Sequence, residues 1–458
     1  MAVLSFCASH RSSAEEEKPN VVLIFIDDLG YGDTSPYGAK DIPTPHLDRL
    51  TEEGVLTTAT YITNPPCCPS RCSLYMGQYA QRFGKYGMSR GLPIPDDRPT
   101  LSQFMQDRGY VTGHIGKWDI GSPLQKPLNT GFMEVARIPP RKRYTDAEIA
   151  AMPKNLQKQM KKLNGKGKFV YENQDGSDGW QTDYDGDMAV NFITRHKDRP
   201  FFLYWSPEAV HSTSAEAPER LTSRTTANAK RKPLAGAIVS VDDQVGKVMQ
   251  ALEALNLREK TLVIFGSDNG ANLTEGGSST PYRGGKGSGT QQEGWVRVPA
   301  IYSMPETLPS GTTYTGLTAT VDFYATIAVL AGAELPSHLD GVDIFPYLKG
   351  EQEGDAHEYI YWLNNDPTDA KHRHLIAVRW KDWRLYWNKA NDAWQLFDLS
   401  KDPQELNDVA VEFPEIVDQL SKKHEVWAKT LVPLREVPKI KSTSRKRPEG
   451  YGWASAEN

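Results

Sequence analysis

Two adjacent acids, Asp27 and Asp28, directly follow the apolar run Val21–Ile26, which reads as a fully buried strand. Neighbouring carboxylates repel, so a pair placed at the end of a buried strand needs a neutralising partner. A second strand candidate, Thr261–Phe265, runs through Gly266-Ser267 into Asp268-Asn269. Acid and amide groups at two equivalent strand ends make an all-oxygen donor set, which favours a hard cation such as Ca²⁺ or Mg²⁺ over Zn²⁺. Between them lies Pro65-Pro66-Cys67-Cys68-Pro69-Ser70-Arg71-Cys72. Its prolines stop any helix before Cys67, and Pro69 suits the first turn of a helix over 69–80. Cys67 or Cys68 then sits at a helix N-terminus, where free N–H groups and the dipole favour an anion and lower the pKa of a thiol. Arg71 lies one turn further on and faces the same space. Two more strand ends deliver polar groups: Tyr110–Ile115 leads to Lys117 and Asp119, and Phe201–Trp205 is followed by His211.

Ligands of open α/β sheets bind beyond the carboxyl ends of the strands, so these segments are expected to share one such sheet. The apolar runs alternate with helical patterns over 44–53, 100–108, 185–196, 235–255 and 321–331. That alternation predicts a large, mostly parallel sheet sandwiched by helices. After about residue 350 the pattern changes to short aromatic-rich strands over 357–362, 375–380, 383–386 and 394–397, closed by a helix over 412–431. The expected organisation is a leader over 1–17, a catalytic α/β domain over 18–350, a smaller C-terminal α+β subdomain with an antiparallel sheet over 351–437, and a flexible tail over 438–458.

In 458 residues, 53 basic side chains face 58 acidic ones, for a net charge of −5. This excludes a nucleic-acid binder that relies on bulk positive charge. No apolar run approaches the ~18 residues of a membrane span. The 4 cysteines cannot form a disulfide scaffold. Met1–Ala8 is apolar but short, and reads either as the stub of a secretory signal cleaved after Ala14 or as a floppy leader. Segment 137–168 is rich in Lys and Arg, against Asp146 and Glu148. It is either a solvated helical insertion or a surface that attracts a polyanionic substrate.

Taken together, these motifs resemble the type I, formylglycine-dependent sulfatases of the alkaline-phosphatase-like superfamily. Cys67-Cys68-Pro69-Ser70-Arg71 matches the family's C-x-P-S-R signature, and only Cys67 has the correct offset. Gly116-Lys117-Trp118, Ser267-Asp268-Asn269-Gly270, Gly284-Gly285-Lys286 and Arg297-Val298-Pro299 extend the likeness, which spans about residues 18–410. The resemblance implies that a separate maturation enzyme converts Cys67 to formylglycine (3-oxoalanine). One hydroxyl of the hydrated aldehyde attacks the sulfur of a sulfate ester, and the second then expels sulfate. A plain Ser or Cys would be left covalently sulfated. The resemblance further implies that Asp27, Asp28, Asp268 and Asn269, with the group at position 67, hold Ca²⁺ in preference to Mg²⁺. Arg71 would steady the nucleophile, Lys117 and Lys286 would hold sulfate oxygens, and His211 would protonate the departing alkoxide. A sulfated saccharide is the expected substrate, given the basic segment and the aromatics Trp180, Trp205, Trp295 and Trp362 that can stack on sugars. Such substrates imply an extracytoplasmic location.

One departure bears on chemistry. The family usually reads G-K-W-H-x-G, whereas this chain has Gly116-Lys117-Trp118-Asp119-Ile120-Gly121. Asp119 can accept the proton that the missing His would take, since a carboxylate is a competent base. It also adds negative charge to a site meant for an anion. A catalytically impaired sulfoglycan-binding relative is therefore an alternative. A phosphatase or phosphodiesterase of the same superfamily is another, disfavoured by the lack of a His-rich strand end for a second metal. The stretch from Lys286 to Glu293 is also longer than in common versions, and Trp295 replaces a Gly.

Overall fold

Every residue of the first strand, NVVLIFI, is buried, as expected of a strand covered by helices on both faces. The computed structural model describes residues 18–455 except 89–90, 139–140, 143–144, 152–153, 155–156, 158–169, 172–179, 212–216, 288–291, 365–374, 389–390 and 436–449. The expected leader and most of the basic segment thus lie outside the described residues. The strands are β1 (Asn20–Ile26), β2 (Val55–Tyr61), β3 (Val111–Gly116), β4 (Glu134–Ala136), β5 (Arg141–Lys142), β6 (Val170–Tyr171), β7 (Phe201–Ser206), β8 (Thr261–Ser267), β9 (Arg297–Ser303), β10 (Thr312–Tyr314), β11 (Thr318–Ala319), β12 (Ile360–Asn364), β13 (Leu375–Trp380), β14 (Trp383–Asn388), β15 (Ala393–Asp398) and β16 (Trp453–Ser455).

A 10-stranded mixed sheet runs β10-β2-β9-β8-β1-β7-β3-β4-β16, with β11 also pairing β2. Its centre is parallel: Ile24 aligns with Phe265 on one side and Trp205 on the other, and Ile115 with Trp205 beyond. β9 runs antiparallel to both β8 and β2. The carboxyl ends of β1, β2, β3, β7 and β8 therefore open on one edge.

Alternate side chains of β1 feed two cores. Val22, Ile24 and Ile26 pack with the helices Gln181–Arg195 and Lys232–Ala254. Val21, Leu23 and Phe25 pack with the helices Cys67–Met76, Leu101–Gln106 and Asp322–Leu330. The four strands β12–β15 form the expected antiparallel sheet. Its Val378, Leu385 and Leu396 cover Leu420 of the helix Pro414–Ala428. On the opposite face, Ala377, Tyr386 and Phe397 join Tyr61 of β2 and Trp295, which precedes β9.

The tail and the signature helix differ from what the sequence suggests. Trp453–Ser455 is not a loose tail but pairs antiparallel with β4 at the sheet edge. The signature helix starts at Cys67, two residues before the proline expected to open it. Pro69 is accommodated there because the first N–H groups of a helix have no intrahelical acceptor.

Candidate active site

Four chain segments converge at the open edge of the sheet. The turn after β1 brings Asp27 and Asp28, with Asp28 at φ 62, a left-handed conformation that Asp tolerates better than most residues. The end of β8 brings Asp268 and Asn269, the Cys67–Met76 helix brings Cys67 and Arg71, and the turn after β3 brings Lys117 and Asp119. Ligand atoms of Asp27, Cys67 and Asp268 lie within 4.8 Å of one another. Asp28 meets them through its N–H, which donates to Asp268 Oδ1 at 3.1 Å.

The cations are layered around these acids. Arg71 is fully buried; its Nε donates to Asp268 Oδ2 at 2.7 Å and its Nη1 to Tyr204 OH at 3.3 Å and to Ser206 Oγ. Lys117 Nζ lies 2.5 Å from Asp27 Oδ2 and 3.9 Å from Asp119 Oδ2. Lys286 Nζ contacts Asp28 at 2.6 and 2.8 Å and sits 3.9 Å from Cys67 Sγ. Despite the longer stretch after it, Lys286 therefore reaches the same hollow. His211 Nε2 is 3.6 Å from Asp28 Oδ2, and its side chain, 39% exposed, marks the solvent side.

Charge sets the protonation of the group. Burial alone would raise Asp27, but Lys117 and Arg71 hold it well below the usual carboxylate range. Asp28 is pushed up to about 7 by burial and by Asp27, against Lys286. Burial pushes the Cys67 thiol up to about 12, with Asp27 and Asp268 adding to the rise and Lys117 and Lys286 opposing it. This runs against the lowering expected from the helix N-terminus, because desolvation beside two carboxylates disfavours the thiolate. His211 is lowered by burial and by Lys286 and Lys117, against Asp27 and Asp268.

The donor set fits a hard cation. Among the described residues, Asp27 Oδ1 and Asn269 Oδ1 are buried side-chain acceptors without a hydrogen-bond partner, a costly arrangement unless something binds them. Both belong to the acid and amide cluster that the sequence singles out, and both are oxygens, as Ca²⁺ or Mg²⁺ prefers.

Two features escape sequence reasoning. Tyr204 and Ser206 fix Arg71, and the only hint is that the apolar strand ends in hydroxyl-bearing residues. The four tryptophans expected to stack on sugars do not line the site. Trp205, Trp295 and Trp362 are fully buried and Trp180 nearly so, because Trp180 and Trp205 fill the core on one face of the large sheet and Trp295 and Trp362 fill the junction with the small sheet. His114 packs among the rings of Trp118, Phe132 and Tyr204.

A sheet of this topology, with acids, cations and a cysteine gathered at its carboxyl edge, defines an alkaline-phosphatase-like hydrolase. The sulfatase family profile matches residues 19–333, and that of the C-terminal region of N-sulphoglucosamine sulphohydrolase matches residues 291–429. N-acetylgalactosamine-6-sulfatase of Canis lupus familiaris is 31% identical over 405 residues, covering 83% of this chain and 74% of that protein. Arylsulfatase A of Homo sapiens is 31% identical over 452 residues, with 88% and 86% covered. The crystal structure of Ps i-CgsB superposes with a TM-score of 0.77 at 30% identity, covering 91% of this chain and 94% of that one. The same protein is also known in complex with k-i-k-neocarrahexaose. The chain belongs to the sulfatase family and is a sulfuric-ester hydrolase.

Proposed function

We propose that this hydrolase releases inorganic sulfate from a sulfated saccharide, using a formylglycine made from Cys67 by a separate maturation enzyme. The observation that carries the reading is the convergence of Cys67, Asp27 and Asp268 within 4.8 Å, with Lys286 Nζ 3.9 Å from the sulfur to be replaced. Saccharide substrates are supported by the N-acetylgalactosamine-6-sulfatases among the relatives and by the carrahexaose complex of the structural neighbour. Polymeric sulfates lie outside cells, so the site of action is extracytoplasmic.

Asp27, Asp28, Asp268 and Asn269, with residue 67, would hold Ca²⁺, or less favourably Mg²⁺. The cation would supply Lewis-acid polarisation of an oxygen at residue 67, and a hydrated aldehyde there would supply one hydroxyl as nucleophile and a second for the release of sulfate. Arg71, fixed by Asp268, Tyr204 and Ser206, stabilises negative charge at residue 67. Lys117 and Lys286, only partly buried at the rim, bind the equatorial sulfate oxygens as an electrostatic clamp. His211 Nε2 protonates the leaving alkoxide; an anionic ester beside it counters the burial and the lysine charges that lower its pKa. Asp119 accepts the proton released as sulfate departs. The test is to make the protein with and without a maturation enzyme and to assay sulfate release from neocarrahexaose and from N-acetylgalactosamine 6-sulfate. Release that depends on maturation and is lost in Cys67→Ala supports the reading. Equal release from unmatured protein overturns it.

A further inference from the structure

Behind Asp119 lies a second buried cluster that the mechanism does not use. Lys85 is fully buried. Its Nζ donates to Leu92 O at 3.4 Å; burial works against its charge, but Cys68, Cys72 and Asp119 outweigh that and hold its pKa above the usual lysine value. Cys68 and Cys72 lie one helical turn apart and are both buried. The Gly121 N–H donates to Cys72 Sγ at 3.2 Å, which ties this cluster to the turn that carries Asp119. The Asp119 carboxylate acts on Lys85, Cys68 and Cys72 together. On its other side it lies 3.9 Å from Lys117 Nζ. Asp119 thus stands between two ammonium groups, one in the core and one in the site. An ammonium in a desolvated core is costly unless a carboxylate answers it, and a carboxylate beside an anion site costs binding unless a cation answers it.

We infer that Lys85 is a positioning residue of the active site: it neutralises Asp119 from behind, so that Lys117 keeps its charge for the sulfate oxygens. This rests on the reading of Lys117 as a sulfate-holding group. The experiment is calorimetric titration of the full matured chain, in calcium, with inorganic sulfate. It compares wild type, Lys85→Met, Lys85→Arg, Asp119→Asn and the Lys85→Met/Asp119→Asn double variant. Lys85→Met should weaken sulfate about tenfold in the wild-type background and less than about twofold in the Asp119→Asn background, because coupled residues give non-additive effects. Lys85→Arg should stay close to wild type. An equal loss in both backgrounds, or no loss, overturns the inference. The thermal midpoint of the same five proteins reads the pairing without the ligand: Lys85→Met should lower it more when Asp119 is present than in the Asp119→Asn background, and equal shifts also overturn the inference. Wild-type protein that bound no sulfate, yet showed the stability coupling, would instead overturn the sulfate-site reading and leave the Lys85–Asp119 pair standing.

Discussion

Arg71 and Asp268 form an ion pair in which neither side chain is exposed, Nε to Oδ2 2.7 Å. The pair joins the signature helix to the end of β8, and Asp27 and Asp28 lie beside it. Arg71→Met would leave the acids without their innermost cation. Removing one partner of a buried pair costs about 3–5 kcal/mol, and denaturant unfolding at neutral pH without added calcium should show a loss of that size. A loss under about 1 kcal/mol, the range of exposed pairs, would show that the acids do not depend on this guanidinium.

Calcium should stabilise the protein. The unpartnered Oδ1 atoms of Asp27 and Asn269 gain a partner only on binding, and a ligand at 100 times its Kd adds about 2.7 kcal/mol. The thermal midpoint should rise with Ca²⁺, fall back with a chelator, and respond little in Asp27→Ala or Asn269→Ala. An undiminished response in both variants would place the ion elsewhere.

His211 is expected to matter in proportion to the basicity of the leaving group. His211→Ala should lose about 10²–10⁴-fold on a saccharide sulfate, the usual contribution of a positioned acid. On the sulfate ester of an acidic phenol the loss should be far smaller. Equal losses on the two substrates would assign His211 to binding.

The strand ends were legible because β1, β7 and β8 are unbroken apolar runs and the chemistry follows directly after them. β2 and β9 were not. β2 reads VLTTATY, and its Thr57 and Thr60 are buried only because their hydroxyls bond each other, Ala300 O and Thr318. β9 carries Pro299 within it. Strand β16 depends on meeting β4, some 300 residues earlier in the chain, and no local pattern encodes such a meeting. Among the site residues, the acids, Cys67, Arg71 and Lys117 could be read from motifs. Tyr204, Ser206 and Lys85 act through long-range contacts, and the fate of the four tryptophans was decided by packing volume.

The junction between the large and the small sheet should make stability pH-dependent. Glu405 Oε2 accepts the Glu293 N–H at 2.9 Å, and burial, followed by the charge of Glu293, pushes Glu405 up from 4.5 to about 8. The folded chain therefore retains a proton that the unfolded chain releases above the usual carboxylate range. Its stabilisation is complete below that range and is lost as pH rises through about 8. The slope approaches about 1.4 kcal/mol per pH unit within the window. Glu405→Gln should flatten the fall in unfolding free energy between pH 5 and 8; an unchanged slope would show that Glu405 is ionised in the fold.

The most direct measurement is the mass of the peptide carrying residue 67, taken from protein made alongside a maturation enzyme and shown in the same preparation to release sulfate. An aldehyde is expected in place of the CH₂SH group, captured by a hydrazide reagent, with activity proportional to the converted fraction. An unmodified thiol in fully active protein would contradict the formylglycine reading.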